Sequence, residues 1–296
     1  MQGKIMKGVG GFYYVHLRNS HFVYECRARG TFRKDGIKPC VGDDCEVDII
    51  DEEAHTGYVV ELLPRKNHLI RPLVANCDQV LVVMALKNPK PNLNLLDRFL
   101  INMDMQDLRP MIIFNKSDLM DEEEIKEVCA EYLAAGYETI AMSAAAGENT
   151  AEVERLKAIT RGKTTVLAGP SGVGKSSIFN LLVGKEQAET GSVSEKIGRG
   201  RHTTRHTELT AVDEDTFLLD TPGFSSLLVE DLPEEKLKYY YPEFEPYNDT
   251  CRFDGCVHIH EPSCSLIQAL EVGKIGRVRY ENYVKLYEDL KSRRKW

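Results

Sequence analysis

No stretch of this 296-residue chain approaches the ~18 uninterrupted apolar residues of a membrane-spanning helix. Its opening, MQGKIMKGVGGFYYVHL, lacks the continuous apolar run of a secretory signal. Both absences predict a cytoplasmic protein with no membrane partner. Internal repeats and low-complexity tracts are missing too, which excludes a solenoid or a tail-like chain. Positive charge is in deficit: 38 Lys and Arg against 46 Asp and Glu leave a net charge of −8. That argues against a protein that coats nucleic acid indiscriminately. The deficit is uneven. Residues 208–261 carry 14 acidic and three basic side chains, whereas 196–206 carry Lys196, Arg199, Arg201 and Arg205 and no acid. Basic groups also outnumber acidic ones by six to two over 17–40 and by eight to four over 270–296. Local patches can meet phosphate despite the acidic total.

The length suggests two or three domains with a sizeable core. Up to about residue 70 the chain reads as short β segments, GFYYVHL, HFVYECRARGTFRK and DDCEVDIID, separated by Gly, Asn and Asp. About five such strands fit a small barrel, and a generic β domain fits equally. Beyond it, apolar strands alternate with helical patterns. DQVLVVMAL, PMIIFNKSDL, YETIAMSA, KTTVLAG and FLLD read as strands; LNLLDRFLINMDM, DEEEIKEVCAEYLAAG and TAEVERLKAIT read as helices. That alternation predicts a doubly wound α/β domain. VRYENYVKLYEDLKSRRKW reads as a closing helix.

Gly169-Pro170-Ser171-Gly172-Val173-Gly174-Lys175-Ser176 matches the P-loop pattern, with an apolar strand before it and a helix starting at Ser176-Ser177. Its backbone N–H groups and the helix N-terminus suit a phosphate. Lys175 is expected to reach the β- and γ-phosphates, and Ser176 to ligate Mg²⁺. This loop alone would also suit a nucleoside-monophosphate kinase. Asn115-Lys116-Ser117-Asp118, at the end of the strand MIIF, fits guanine recognition. A carboxylate at 118 accepts hydrogen bonds from guanine N1–H and the 2-amino group, a donor pair that adenine lacks. Asn115 and Lys116 would buttress the site, and Ser143-Ala144 resembles the small-residue loop that meets guanine O6. Asp220-Thr221-Pro222-Gly223 ends the strand FLLD and fits the motif in which Asp220 holds Mg²⁺ through water and the Gly223 N–H senses the γ-phosphate. Between them, GRGRHTTRHTEL offers Thr203, Thr204 or Thr207 to close over the metal. Phe224 stands where many GTPases carry a water-orienting glutamine, so His202 or His206 is the nearest alternative.

Base recognition here precedes phosphate binding. All these loops can still meet at one edge of a parallel sheet, so the order predicts a circularly permuted GTP-binding domain. The loop that responds to the γ-phosphate would then run directly into the C-terminal segment, and residues 224–235 are expected to transmit nucleotide state to it. That segment contains Cys251, Cys256, His258 and Cys264, a Cys₃His set suited to structural zinc, with His260 as a competing imidazole.

Taken together, CRARGTFRK, VGD, LPRKNHLIRP, NLNLLDRFL, NKSD, GPSGVGKSS, GRHTT, DTPGF and the cysteine cluster resemble the ribosome small-subunit-dependent GTPase A (RsgA, YjeQ or YloQ) family over nearly the whole length. The resemblance implies an OB-fold barrel (1–70) that binds RNA, a permuted GTPase domain (71–229) and a small, mainly helical zinc-binding domain (230–296). It implies GTP/GDP, Mg²⁺ and Zn²⁺ as cofactors. It also implies a small-subunit assembly factor whose hydrolysis the ribosome stimulates, and the chain is expected to be a monomer. The histidine of GRHTT carries catalysis in this family, which falls on His202 and favours Thr204 as the Mg²⁺ threonine. Arg27, Arg29, Arg33 and Lys34, with Lys274, Arg277, Arg279, Arg293 and Arg294, are expected to face ribosomal RNA backbone. The competing expectation is an RNA-anchored GTP sensor whose hydrolysis is incidental.

Overall fold

The computed structural model describes residues 1–20, 22–30, 32, 38–70, 72–184, 207–220, 229, 232–248 and 250–293. The first five strands are β1 (Gln2–Val9), β2 (Phe12–Leu17), β3 (Val23–Ala28), β4 (Asp44–Asp51) and β5 (Thr56–Leu62). They close into a barrel in the order β1-β2-β3-β5-β4. All neighbours are antiparallel except β3 and β5, which run parallel. That is the five-stranded OB topology. Closure follows from side-chain alternation: Ile5, Val15, Leu17, Cys26, Cys45, Val47 and Val59 point inward and are buried. β1 was not among the strands read from sequence, because its QGKIMKGV interleaves lysines and glycines with a few apolar residues.

A two-stranded ribbon, β6 (His68–Leu69) and β7 (Val74–Ala75), follows. The α/β part then runs β8 (Gln79–Ala85), α1 (Leu93–Asp104), β9 (Pro110–Asn115), α2 (Glu122–Ala134), β10 (Thr139–Met142), α3 (Ala151–Thr160), β11 (Thr164–Ala168), α4 (Lys175–Val183), β12 (Leu209–Ala211) and β13 (Phe217–Asp220). The C-terminal segment holds two 3-10 turns, Glu234–Tyr240 and Pro242–Tyr247, then α5 (Ser265–Glu271) and α6 (Arg277–Arg293). Among the described residues, no helix is long and apolar enough to cross a membrane.

The chain forms two compact units. The first is Met1–Val80, Ala144–Ala168 and Lys175–Pro222; the second is Leu81–Ser143, Gly169–Gly174 and Gly223–Trp296. Within the first, β11 pairs in parallel with β13, and the short β12 lies antiparallel on β13. The first residues of β8 belong here, where Gln79 Nε2 donates to Thr165 Oγ1 at 3.0 Å. The barrel meets β12 through an ion pair of Lys7 with Glu208 at 2.8 Å. Within the second unit, β9 and β10 pair in parallel from Thr139↔Ile112 to Met142↔Asn115, which brings Asn115 and Met142, and hence the turns after them, to one edge.

The second unit also buries a cation. Arg279 of α6 is 1% exposed. Its Nη1 donates to Asp97 of α1 at 2.6 Å, and its Nε and Nη2 donate to Glu243 at 2.8 and 3.2 Å. Tyr241, Tyr137 and Tyr132 surround the guanidinium at 4.4, 5.4 and 5.6 Å from their ring centres. The expectation that Arg279 faces RNA is therefore wrong. Two carboxylates and three aromatic rings draw it inside, the pairing that makes a buried arginine tolerable.

Candidate functional site

The residues expected to recognise guanine up to Ser143 lie in the second unit. β9 ends at Asn115, which is 2% exposed; its Nδ2 donates to the Val173 carbonyl at 2.9 Å. Lys116 takes a left-handed backbone, φ 65°, and its Nζ donates to Gly172 O at 2.9 Å and to Asn88 O. Both side chains thus brace the loop Gly169–Gly174. Asp118 sits in the 3-10 turn Ser117–Leu119 with its side chain exposed, where a ligand can reach the carboxylate. Ser143 and Ala144 follow β10, and the buried Ser143 Oγ has no hydrogen-bond partner among the described residues. Two loop glycines are required by close approach. A Cβ on Gly169 would stand 2.2 Å from Val83 O, and one on Gly174 would stand 2.1 Å from Asn115 Nδ2.

Lys175, Ser176, Ser177 and Asp220, expected to meet phosphate and Mg²⁺, lie in the first unit. α4 opens on Lys175, which is buried, followed by the exposed Ser176 and Ser177. Burial pushes the Lys175 ammonium below its ordinary pKa, and the neighbouring Asp220 opposes that shift. Ser176 Oγ donates to Asp220 Oδ2 at 3.3 Å. Asp220 Oδ1 is buried with no hydrogen-bond partner among the described residues. An orphaned carboxylate oxygen beside a serine hydroxyl is an oxygen donor pair that fits a hydrated Mg²⁺. Pro170 and Ser171 complete the loop. His202, Thr203, Thr204, His206, Gly223 and Phe224 lie outside the described residues, as do Arg33, Lys34 and Arg294 and residues 224–228, 230 and 231.

The third cluster belongs to the C-terminal segment. Cys251, Cys256, His258 and Cys264 bring their ligand atoms within 4.8 Å of one another. His258 Nδ1 lies 3.5, 3.5 and 3.2 Å from the sulfurs of Cys251, Cys256 and Cys264. Cys264 Sγ lies 3.6 and 3.9 Å from the other two sulfurs. A tetrahedron with Zn–S bonds of ~2.3 Å and a Zn–N bond of ~2.0 Å has edges of ~3.5–3.8 Å. The cluster is thus compatible with zinc. Burial, reinforced by Lys238, holds the His258 pKa down to about 4, leaving the imidazole neutral, as a ligand must be. Its Nε2 faces Asn248 Oδ1 at 3.1 Å, an outer-shell partner of the kind that fixes the ring and tautomer. His260, the competing imidazole, is exposed. Asn248 and Asn88 were not singled out in the sequence, because an asparagine in a turn carries no local mark of a distant partner.

The chain matches the RsgA GTPase family model over residues 62–230 and the RsgA N-terminal domain model over residues 2–59. The chain belongs to the RsgA GTPase family. It is 49% identical to the small ribosomal subunit biogenesis GTPase RsgA of Agathobacter rectalis, over 100% of both chains. It is 43% identical to the protein of the same name from Caldanaerobacter subterraneus, over 100% of this chain and 97% of that one. Among solved structures it resembles YloQ, described as a circularly permuted GTPase, at 34% identity and TM-score 0.79, covering 99% of this chain and 95% of that one. YjeQ from Thermotoga maritima is similar at 33% identity and TM-score 0.79, covering 98% of each. Membership of the RsgA family makes the chain a GTPase, with GTP, GDP and Mg²⁺ as its general ligands, and accounts for the reversed motif order.

Proposed function

We propose that this GTPase acts in maturation of the small ribosomal subunit, binding it with GTP and leaving after hydrolysis. The observation that carries this is full-length similarity to relatives named as small ribosomal subunit biogenesis GTPases, together with a nucleotide site in which Asn115 and Lys116 brace the P-loop. In this reading residues 1–70 form the RNA-binding barrel, 71–229 the GTPase domain and 230–296 the zinc-binding domain of a cytoplasmic monomer.

Asp118 selects guanine, with Ser143 and Ala144 at its O6. The N–H groups of the loop from Gly169 to Gly174, with Lys175, Ser176 and Ser177, hold the phosphates. Burial disfavours the Lys175 ammonium, and a bound phosphate would favour it. Ser176, Asp220 and Thr204 hold Mg²⁺, which when bound neutralises charge on the β- and γ-phosphates. His202 orients the attacking water, and the Gly223 N–H senses the γ-phosphate. Cys251, Cys256, His258 and Cys264 hold Zn²⁺.

The test is GTP turnover by the whole protein with and without purified small subunits, at two salt concentrations. Turnover should rise with subunits, and the rise should shrink at higher salt, because phosphate contacts release counterions. His202→Ala should lose about 10²–10⁴-fold in turnover while still binding GTP, and should accumulate on subunits. A His202→Ala protein that cycles on and off subunits normally would instead identify a GTP sensor whose hydrolysis is incidental.

A further inference from the structure

The loop joining β8 to α1, residues 87–92 (KNPKPN), carries no recognisable motif. It nevertheless grips the guanine-recognition turn from two sides. Lys87 Nζ donates to Leu119 O at 3.2 Å. In the other direction, Lys116 Nζ donates to Asn88 O, and it also donates to Gly172 O at 2.9 Å. Pro89 closes against the P-loop, its Cδ 3.9 Å from where a Cβ on Gly172 would stand. One ammonium therefore ties together three segments of the second unit: this loop, the recognition turn and the P-loop.

An ammonium has three donors, and two are committed here to backbone carbonyls. Its flexible stem then stops sampling rotamers and keeps one direction. The Asn88 carbonyl can take part because Asn88 adopts a left-handed backbone, φ 50°. Asparagine enters that region at modest cost, and glycine enters it freely. Alanine does so less readily, and a β-branched residue is a genuine outlier there.

We propose that Asn88 is a positioning residue for guanine-nucleotide binding: its left-handed backbone presents the carbonyl that, with Gly172 O, locks Lys116 against the base site. Asn88 acts through Lys116 and does not touch the nucleotide. The proposal rests on reading Asn115–Asp118 as the base site. Its effect belongs to nucleotide binding, because the contacts of this loop fall on the recognition turn and on the backbone of the P-loop.

A carbonyl cannot be deleted by changing a side chain, so the test uses backbone preference. Fluorescent GDP and GTP-analogue titrations, with steady-state turnover, are run on Asn88→Gly, Asn88→Ala and Asn88→Val. The Kd should stay within about twofold of the parent for Gly, rise a few-fold for Ala and rise roughly tenfold for Val. KM should follow Kd, and kcat at saturating GTP should change by less than about twofold. Should the valine protein fail to fold, the alanine and glycine pair still decides the matter. Each variant is repeated in a Lys116→Ala background, where a residue that acts through Lys116 has nothing left to lose. Unchanged GDP affinity in both Ala and Val variants, or an undiminished loss in the Lys116→Ala background, overturns the proposal. Asp118→Asn is the control for the base site itself. If it keeps its guanine preference, the underlying reading has failed; if its preference switches while Asn88→Val binds normally, only the role of Asn88 has failed.

Discussion

Asp118 stands exposed in a short turn, while its neighbours Asn115 and Lys116 turn inward and hold the P-loop. Under the proposed function, that division gives specificity to one side chain and rigidity to two. Two charge-assisted hydrogen bonds to guanine are worth about 3–6 kcal/mol together when both partners must otherwise be left unpaired. Asp118→Asn should therefore weaken GTP binding by roughly 10²–10⁴-fold and gain affinity for xanthosine triphosphate, whose 2-oxo group accepts the new amide donor. Competition of the two nucleotides against labelled GDP measures both changes. Asp118→Ala should lose GTP without gaining the xanthine nucleotide.

Arg279 shows the opposite economy. Asp97 is fully buried, and burial pushes its carboxyl up while Arg279, Asn282 and Tyr132 pull it back. Arg279→Met removes the strongest of those pulls and leaves Asp97 and Glu243 facing each other's charge without a cation. Breaking such a buried pair costs about 3–5 kcal/mol. The sign of the pH dependence follows from Asp97. Without Arg279 its folded-state pKa lies further above the ordinary carboxylate value, so the folded protein holds a proton that the unfolded chain releases. The variant's stability should be greatest in mild acid and fall as pH rises through that raised pKa. Urea midpoints of variant and parent between pH 5 and 8 check this, and a deficit that does not grow with pH would contradict it.

At the scale of elements, the C-terminal segment is fastened to α1 and α2 of the second unit. α6 meets α1 through Arg279–Asp97 and an ion pair of Arg98 with Asp289, and the Arg279 N–H donates to Glu131 of α2 at 3.1 Å. α2 begins just after the Asp118 turn. The helices of the α/β part and α6 were legible in the sequence because their periodicity and caps are local, and the P-loop and recognition turn because their residues are contiguous; the seven-residue α5 was not read. Arg279 was not legible: its partner Asp97 lies 182 residues away, and an arginine among basic neighbours reads as surface. β12 was missed for a related reason, since three residues against one edge of β13 hold no period. The Cys₃His cluster was legible as composition, but only the fold separates His258 from His260. Its removal tests what it supports. Lys238 Nζ donates to Cys256 O at 3.0 Å, and Tyr283 OH donates to Val257 O at 2.6 Å, so the ligand loop is laced into the packing of α6. Chelation, or Cys256→Ser, should release about one zinc per chain and expose 232–293 to protease, because metal-binding energy is folding energy in so small a segment. Elemental analysis with limited proteolysis reads both, and the nucleotide site should retain GDP.

For the whole molecule the question is which cations stand without a carboxylate partner and so could meet RNA. Net charge is −8, so any ribosome contact must be local. Arg279 is spent internally, and Arg29 is paired with Asp48 at 2.6 Å. Arg27 differs: its guanidinium lies 4.7 Å from the centre of the Phe12 ring and forms no ion pair among the described residues. It is exposed on β3, opposite Tyr58 of β5. A cation without a carboxylate partner contributes a full counterion-releasing contact, whereas a paired one must first give up its partner. Arg27→Ala should therefore weaken binding to small subunits and lower the slope of log K against log salt by about 1. Arg29→Ala should change that slope by clearly less, since Asp48 is left behind as an unpaired negative charge and offsets part of what Arg29 already neutralised. Sedimentation of the GTP-analogue complex with subunits at four or more salt concentrations gives both slopes. Equal slopes for the two variants would show that pairing on the free barrel does not govern which cations reach the RNA.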